Sequence, residues 1–349
     1  MKKWITDIIQ PTTRDATRQA KADIAQIAKK MGYQISNIFR YNDAGESDQA
    51  LSSRIDGITA AIAPGDLLVY QYPSLNSARF ETRFIELMHV RNVKVICLIH
   101  DVLTLRNQPD TAVFLDEIAY FNSCDVLIVH NQRMAAKLQE LGVTTKMVYQ
   151  QLLDYLDDNH DDSRYTISPA NFQRGAVIAG NILKSDYLSQ WHYQTPITVF
   201  GVSDAATTEE LQANPQVNYL GSRPRWDLIQ ELPQTFGLAW DSNTPEFRYR
   251  DYTQYNHPHK VSMYLAHGLP VIVWRQAAVA ELIVQNHLGI AIDNLDQLDH
   301  VLAALSDQQI ATMLTNVSHF GQLLRDGWFT RQGLQAAEQA LIFPAFKLN

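Results

Sequence analysis

Short runs rich in β-branched and aromatic residues alternate with longer amphipathic stretches through the first half of the chain. WITDII, YQISNIF, DLLVYQY, VKVICLIHD, CDVLIVHN and KMVYQ have the composition of strands, and most are apolar on both faces. Between the first two, Ala16, Ala20, Ile24, Ile27 and Ala28 share one stripe at helical spacing, which predicts a helix over 13–31. The same period recurs over 51–63 and Ala78–Val90, and a shorter helix over 131–141 is stopped by Gly142. Strands buried on both faces need helices above and below them, so the pattern predicts a doubly wound parallel sheet.

The periodicity stops in DYLDDNHDDSRYTISPAN, an acidic and polar stretch with the character of a linker. Its acids lack both the spacing and the central glycine of a calcium loop. Beyond it the alternation restarts. AVIAG, ITVFG, VNYL, FGLAW, PVIVW and GIAID read as strands, and helices are expected over 184–191, Arg225–Glu231, 258–267 and 278–286. The stretch from Leu295 onward is helical, with breaks expected near Gly321 and Gly327. The chain therefore divides into a first α/β domain over 1–153, a linker over 154–173, a second α/β domain over 174–326 and a terminal helix over 327–349.

Composition narrows the function classes. A chain of 349 residues with 46% hydrophobic content can bury two cores without metals or disulfides. Its two cysteines, Cys97 and Cys124, lie far apart, and Cys97 sits inside an apolar run. A formal charge of -8 opposes bulk nucleic-acid binding. No apolar run approaches the length of a membrane span, and the start of the chain has no leader-like apolar core, so a cytoplasmic protein is the expectation.

Ligands of open parallel sheets bind beyond the carboxyl ends of the strands, and each candidate motif lies at such an end. In YNHPHKVSMYLAHGLPVIVW, Pro258 fits the first helical position, with Asn256 or His257 as N-cap. Val261, Tyr264 and Leu265 then face the core, and Gly268 closes the helix. The first turn carries His259 and Lys260, where the dipole and free N–H groups already favour an anion. A lysine there is either a tolerated surface cation or part of an anion site. Asn181, Lys184 and Ser185 follow the strand AVIAG and open the next helix, either as an ordinary turn or as a phosphate-binding one. Trp240 and Asp241 end FGLAW, where an aromatic could stack on a base or sugar and an acid could hold hydroxyls. His100 and Asp101 end the first-domain strand VKVICLI, a position suited to a general base or a sugar-hydroxyl contact. Thr12 and Thr13 follow the first strand and either cap the next helix or reach toward a ligand. There is no GxSxG elbow, no cysteine–histidine nucleophile context and no HExxH spacing.

Taken in order, GDLLVYQYPSLNSARFETRFI, VKVICLIHDVLTLR, AGNILKS, FGLAWD, YNHPHKVSMYLAHGLPVIVW and LLRDGWFT resemble the GT-B-fold glycosyltransferases that extend O-linked GlcNAc on bacterial serine-rich repeat adhesins, a galactofuranosyltransferase-like group. The resemblance runs over nearly the whole chain. It implies two Rossmann-like α/β/α domains facing a central cleft, with the terminal helix packed back on the first. It also implies a UDP-sugar donor, a glycosylated serine-rich protein as acceptor, no metal or other cofactor, and a homo-oligomer, dimer or tetramer. By position, Lys184 and Lys260 match the residues that contact the donor diphosphate, and Thr13 matches a loop threonine near it. Tyr255 and Asn256 flank the same site, His259 lies beside it, and His100 and Asp101 face the transferred sugar. One departure stands out. Many retaining GT-B enzymes carry a glutamate pair, E-x7-E, and here Tyr255 and Met263 occupy those places. Retention of stereochemistry is therefore not inherited from that wider class.

Overall fold

The computed structural model describes residues 1–10, 16–108, 115–157 and 165–343. The chain divides into two compact units, Met1–Asp154 with Gly327–Asn349, and Tyr155–Asp326.

The first unit is built on six parallel strands, β1 (Lys3–Ile9), β2 (Gln34–Phe39), β3 (Leu67–Tyr72), β4 (Lys94–Ile99), β5 (Val126–Val129) and β6 (Met147–Tyr149), in the order β2-β1-β3-β4-β5-β6. Its inner strands are closed on both faces, and every residue of β3 is buried. Ile5, Val69, Ile96, Leu98 and Ile128 form one face of the core. Ala20, Ile24 and Ala28 of the helix Ala16–Lys30 cover it, together with Leu334, Ala337 and Ala340 of the helix Trp328–Ile342. That last helix enters through Gly327 at φ 75°, where a Cβ would lie 2.6 Å from Ile27. Only glycine suits that backbone and that space.

The second unit holds β7 (Ala176–Asn181), β8 (Ile197–Val202), β9 (Val217–Gly221), β10 (Phe236–Ala239), β11 (Val271–Trp274) and β12 (Gly289–Ile292) in the order β12-β11-β10-β7-β8-β9. Numbered within the unit this is 3-2-1-4-5-6, the dinucleotide-binding arrangement, with its topological switch between β7 and β10. In the first unit the corresponding reversal lies between β1 and β3.

Several local expectations need correction. The stretch 184–191 is not an α-helix but two 3-10 turns, Ile182–Lys184 and Asp186–Leu188, so Lys184 closes a turn rather than opening a helix. Asn181 caps the first turn by accepting from Leu183 N at 3.0 Å. Gly321 does not break the last helices; it lies inside Asp307–Arg325 and lets that helix approach Leu265 O, 2.4 Å from where a Cβ would stand. The acidic stretch is described only at its ends, and these are packed rather than solvated. Asp154 accepts from Thr330 N at 2.6 Å and Phe329 N at 3.3 Å, while Tyr155, Tyr165 and Ile167 are buried apolar anchors. Asp161 and Asp162 lie outside the described residues.

Candidate functional site

The carboxyl ends of β7 and β10 meet beside the helix His259–Ala266. That helix owes its position to Tyr264, which is fully buried and whose hydroxyl accepts from Ala179 N of β7 at 2.8 Å. Its ring lies over β10 at Gly237, where a Cβ would stand 2.2 Å from Tyr264 Cγ. Glycine in FGLAW is thus the condition for the helix to sit against the sheet. The far end is a Schellman closure: Gly268 N donates to Leu265 O at 3.1 Å and Leu269 N to Tyr264 O at 3.0 Å, with Gly268 at φ 79°. Val261, Tyr264 and Leu265 face the core as the spacing predicts, and the rest of 261–266 is buried too.

The start of this helix differs from the expectation by one residue. Pro258 is the N-cap, not the first helical position, and neither Asn256 nor His257 caps. Pro258 has no side chain that can accept from the first-turn N–H groups, so no side-chain cap competes there. His259 packs at a tilt against Tyr155, with ring centroids 5.1 Å apart. His267 is buried; its Nδ1 lies 2.6 Å from Met263 O and its ring packs edge-on against Tyr155 and Tyr165.

Lys260 does not project alone. Its Nζ donates to Asp241 Oδ1 at 2.6 Å, and both side chains are mostly enclosed, 16% and 11% exposed. Two residues singled out separately from sequence, one ending β10 and one starting a helix, form a single ion pair. Lys184 approaches from the β7 side and stands 4.2 Å from the centre of the Tyr249 ring, which is itself stacked on Phe247 at 4.9 Å. The loops after β7 and β10 are tied together: Ser242 N donates to Lys184 O at 2.6 Å and Tyr187 OH to Trp240 O at 3.1 Å. Trp240 is buried, so its ring is packing rather than an open stacking platform. Burial holds the Tyr187 and Tyr264 phenols well above their ordinary range, with the Asp241 carboxylate adding to it. Tyr255 and Asn256 donate their backbone N–H groups to Tyr252 O at 2.9 and 3.1 Å, and Asn256 Oδ1 is enclosed with no hydrogen bond among the described residues.

The first unit offers a different edge. His100 is buried at the end of β4, and its Nε2 lies 2.9 Å from Gln71 Oε1 of β3. Asp101 turns instead to Arg106 Nη1 at 2.9 Å, so the two neighbours do not form a His–Asp couple. The loop carrying them is held by Glu117, a buried carboxylate that accepts from Tyr72 OH at 2.6 Å, Leu103 N at 2.9 Å and Thr104 N at 2.6 Å. Thr13 lies outside the described residues. Sequence reasoning missed Gln71, Tyr249 and Glu117. The signal for Gln71 was present as the one amide in an otherwise apolar strand, VYQY.

Among the described residues, no group of three His, Cys, Asp or Glu side chains could hold a metal ion, and no helix is long and apolar enough to cross a membrane. Profiles of the family described as glucosyltransferase 3-like match over two stretches, the N-terminal domain over residues 2–152 and the C-terminal domain over 176–337. The chain is 29% identical over 338 residues to "Glucosyltransferase 3" of Streptococcus gordonii, covering 96% of this chain and 97% of that protein. It is 26% identical to "Beta-1,6-galactofuranosyltransferase WbbI" of Escherichia coli (strain K12), over 92% of this chain and 94% of that one. Among solved structures, Anabaena Alr3699/HepE in complex with UDP and glucose superposes with a TM-score of 0.61 at 13% identity, covering 97% of this chain and all of that one.

Proposed function

The chain belongs to the glucosyltransferase 3-like family and is a GT-B-fold hexosyltransferase; from that premise we propose that it moves a hexose, glucose first and GlcNAc second, from a UDP-linked donor to a GlcNAc-bearing serine-rich glycoprotein. One observation carries the donor half. Lys184 and the Lys260–Asp241 pair stand at the carboxyl ends of β7 and β10, the switch point of a 3-2-1-4-5-6 sheet, beside a helix start without a side-chain cap. That is the place and the charge for a diphosphate.

An ammonium has three donors, so Lys260 can keep Asp241 on one and give the others to phosphate oxygens. Asp241 thereby holds the cation in place before a donor arrives. When the sugar–phosphate bond breaks, negative charge grows on the leaving UDP. Lys260, Lys184 and the first-turn N–H groups stabilise that charge where it develops, the role a divalent cation fills elsewhere. Asn256 Oδ1 supplies an unfilled acceptor for a uracil N–H or a ribose hydroxyl. The acceptor sugar belongs with the carboxyl edge of the first unit, around His100, where a neutral imidazole can take a hydrogen bond from a hydroxyl.

A galactofuranosyl donor is the second reading, favoured by the 26% identity to the WbbI enzyme. Calorimetric titration of a panel of UDP-sugars, followed by transfer to a GlcNAc-bearing peptide, separates the readings. UDP-glucose is expected to bind and to be consumed only when the peptide is present. Transfer from UDP-galactofuranose alone would replace the donor assignment. Donor conversion without acceptor would mark an epimerase, and UDP binding without transfer a non-catalytic partner subunit.

A further inference from the structure

We infer that Gln71 is a positioning residue that locks His100 in its Nε2–H tautomer, leaving Nδ1 as the only nitrogen through which His100 can take a proton or accept a hydrogen bond. This rests on the proposed acceptor-side role of His100. Gln71 is fully buried on β3. Its Nε2 donates to two backbone carbonyls, Thr6 O at 2.5 Å and Lys21 O at 3.1 Å. Carbonyl oxygens only accept, so both amide hydrogens are committed. Turning the amide over would lose both bonds and set Oε1 against two oxygens. The orientation is therefore fixed, and Oε1 is what His100 Nε2 meets at 2.9 Å. Oε1 is an acceptor only, so Nε2 must carry the hydrogen. In the neutral imidazole the lone pair is then on Nδ1, and protonation adds the second hydrogen there.

The surroundings make this arrangement stiff. Gln71 N donates to Thr6 Oγ1 at 2.9 Å, so β1 and β3 are joined through side chains as well as through the sheet. Lys21, also fully buried, gives its ammonium to Pro73 O while its backbone oxygen holds the Gln71 amide. His100 N donates to Tyr72 O at 2.8 Å, which fixes the ring at its backbone end. A three-strand relay, Thr6–Gln71–His100, thus sets which face of one imidazole is basic. For a sugar hydroxyl this matters because only an unprotonated nitrogen can accept from it.

The test uses the full chain labelled with 15N at histidine. Long-range proton–nitrogen correlation spectra are recorded at a pH where imidazoles are neutral, with His100→Ala assigning the signal. The pattern expected for His100 is protonated Nε2 with unprotonated Nδ1. A protonated Nδ1, or an average of the two tautomers, would overturn the inference and leave the role of His100 itself untouched. In Gln71→Met the His100 signals are expected to average between tautomers. Turnover should fall about twofold or more with the donor KM unchanged, since the share of His100 in the Nδ1–H tautomer cannot act there as base or acceptor. A folded Gln71→Met protein with wild-type turnover would show that Gln71 positions nothing. Conversely, wild-type transfer by His100→Ala would remove the acceptor-side reading while leaving the tautomer in place.

Discussion

The two sheets end in different chemistry. At the carboxyl edge of the second unit, Lys184, Lys260 and Asp241 bring two cations and one anion to the switch point. At the corresponding edge of the first, His100 meets an amide and His130 meets a carbonyl, Ile99 O at 3.0 Å. The same layered architecture thus presents lysine ammoniums at one edge and, at the other, histidines held by neutral oxygens beside the Asp101–Arg106 ion pair and the Glu117 carboxylate. Under the proposed function the diphosphate calls for the cations of the second unit, while a sugar hydroxyl can use oriented hydrogen-bonding groups such as those of the first. The fold sets where a ligand can bind, and the residues that end each strand set what kind.

Four changes break or sharpen this contrast, in falling order of effect. His100→Ala touches only the edge of the first unit: transfer to a GlcNAc-bearing peptide should fall by about a hundredfold or more while UDP affinity stays at the wild-type value. Persistent transfer would make His100 structural. The first unit has its own signature in pH. Burial lowers His130 to about 4, so its stabilisation is full above the unfolded value near 6.5 and is lost as pH falls toward 4. Burial raises Asp154 to about 7, so its effect runs the other way, with stability lost as pH rises from about 3.8 to 7. The two slopes oppose each other between pH 4 and 6.5. Asp154→Asn should uncover the histidine term as a gain of roughly 3 kcal/mol across that window in urea unfolding. A stability curve parallel to wild type would contradict it.

Gly237→Ala probes the support of the charged edge. Its Cβ would lie 2.2 Å from Tyr264 Cγ, so stability should fall by about 2 kcal/mol in chemical denaturation, and UDP binding should weaken as the Lys260 helix shifts. An unchanged denaturation midpoint would mean that the helix is seated by other contacts. Lys184→Ala has the smallest expected effect, about 1 kcal/mol in UDP affinity, because its ammonium is partly satisfied by Tyr249 and partly solvated. A loss as large as that from Lys260 would show that the two cations rank equally.

Much of this was legible in the chain. All twelve strand segments have β-branched or apolar runs that stand out from their neighbours, and the 3-2-1-4-5-6 order then places FGLAW and AVIAG side by side. Glycine and proline marked the ends of the 259–266 helix because they act through the local backbone. What could not be read was pairing between distant residues. Asp241 and Lys260 are nineteen positions apart, and only β10 and the helix start together make them one ion pair. The burial of His267 was equally hidden, because the rings it packs against, Tyr155 and Tyr165, come from the acidic stretch that reads as a spacer. Lys184 was assigned to a helix since LKSDYL has no local breaker; the tie from Ser242 N to Lys184 O is a long-range reason for a turn instead. The family resemblance supplied roles for the lysines that periodicity alone left open, and it did not supply their partner.

The most direct test of the charged edge is UDP titration calorimetry on Lys260→Ala beside the Asp241→Ala/Lys260→Ala double variant. The double variant removes the objection that a bare carboxylate has been left at the phosphate site. Both are expected to bind UDP at least about thirtyfold more weakly than wild type, the single variant more so. Wild-type affinity in both would contradict the placement of the diphosphate beside this helix.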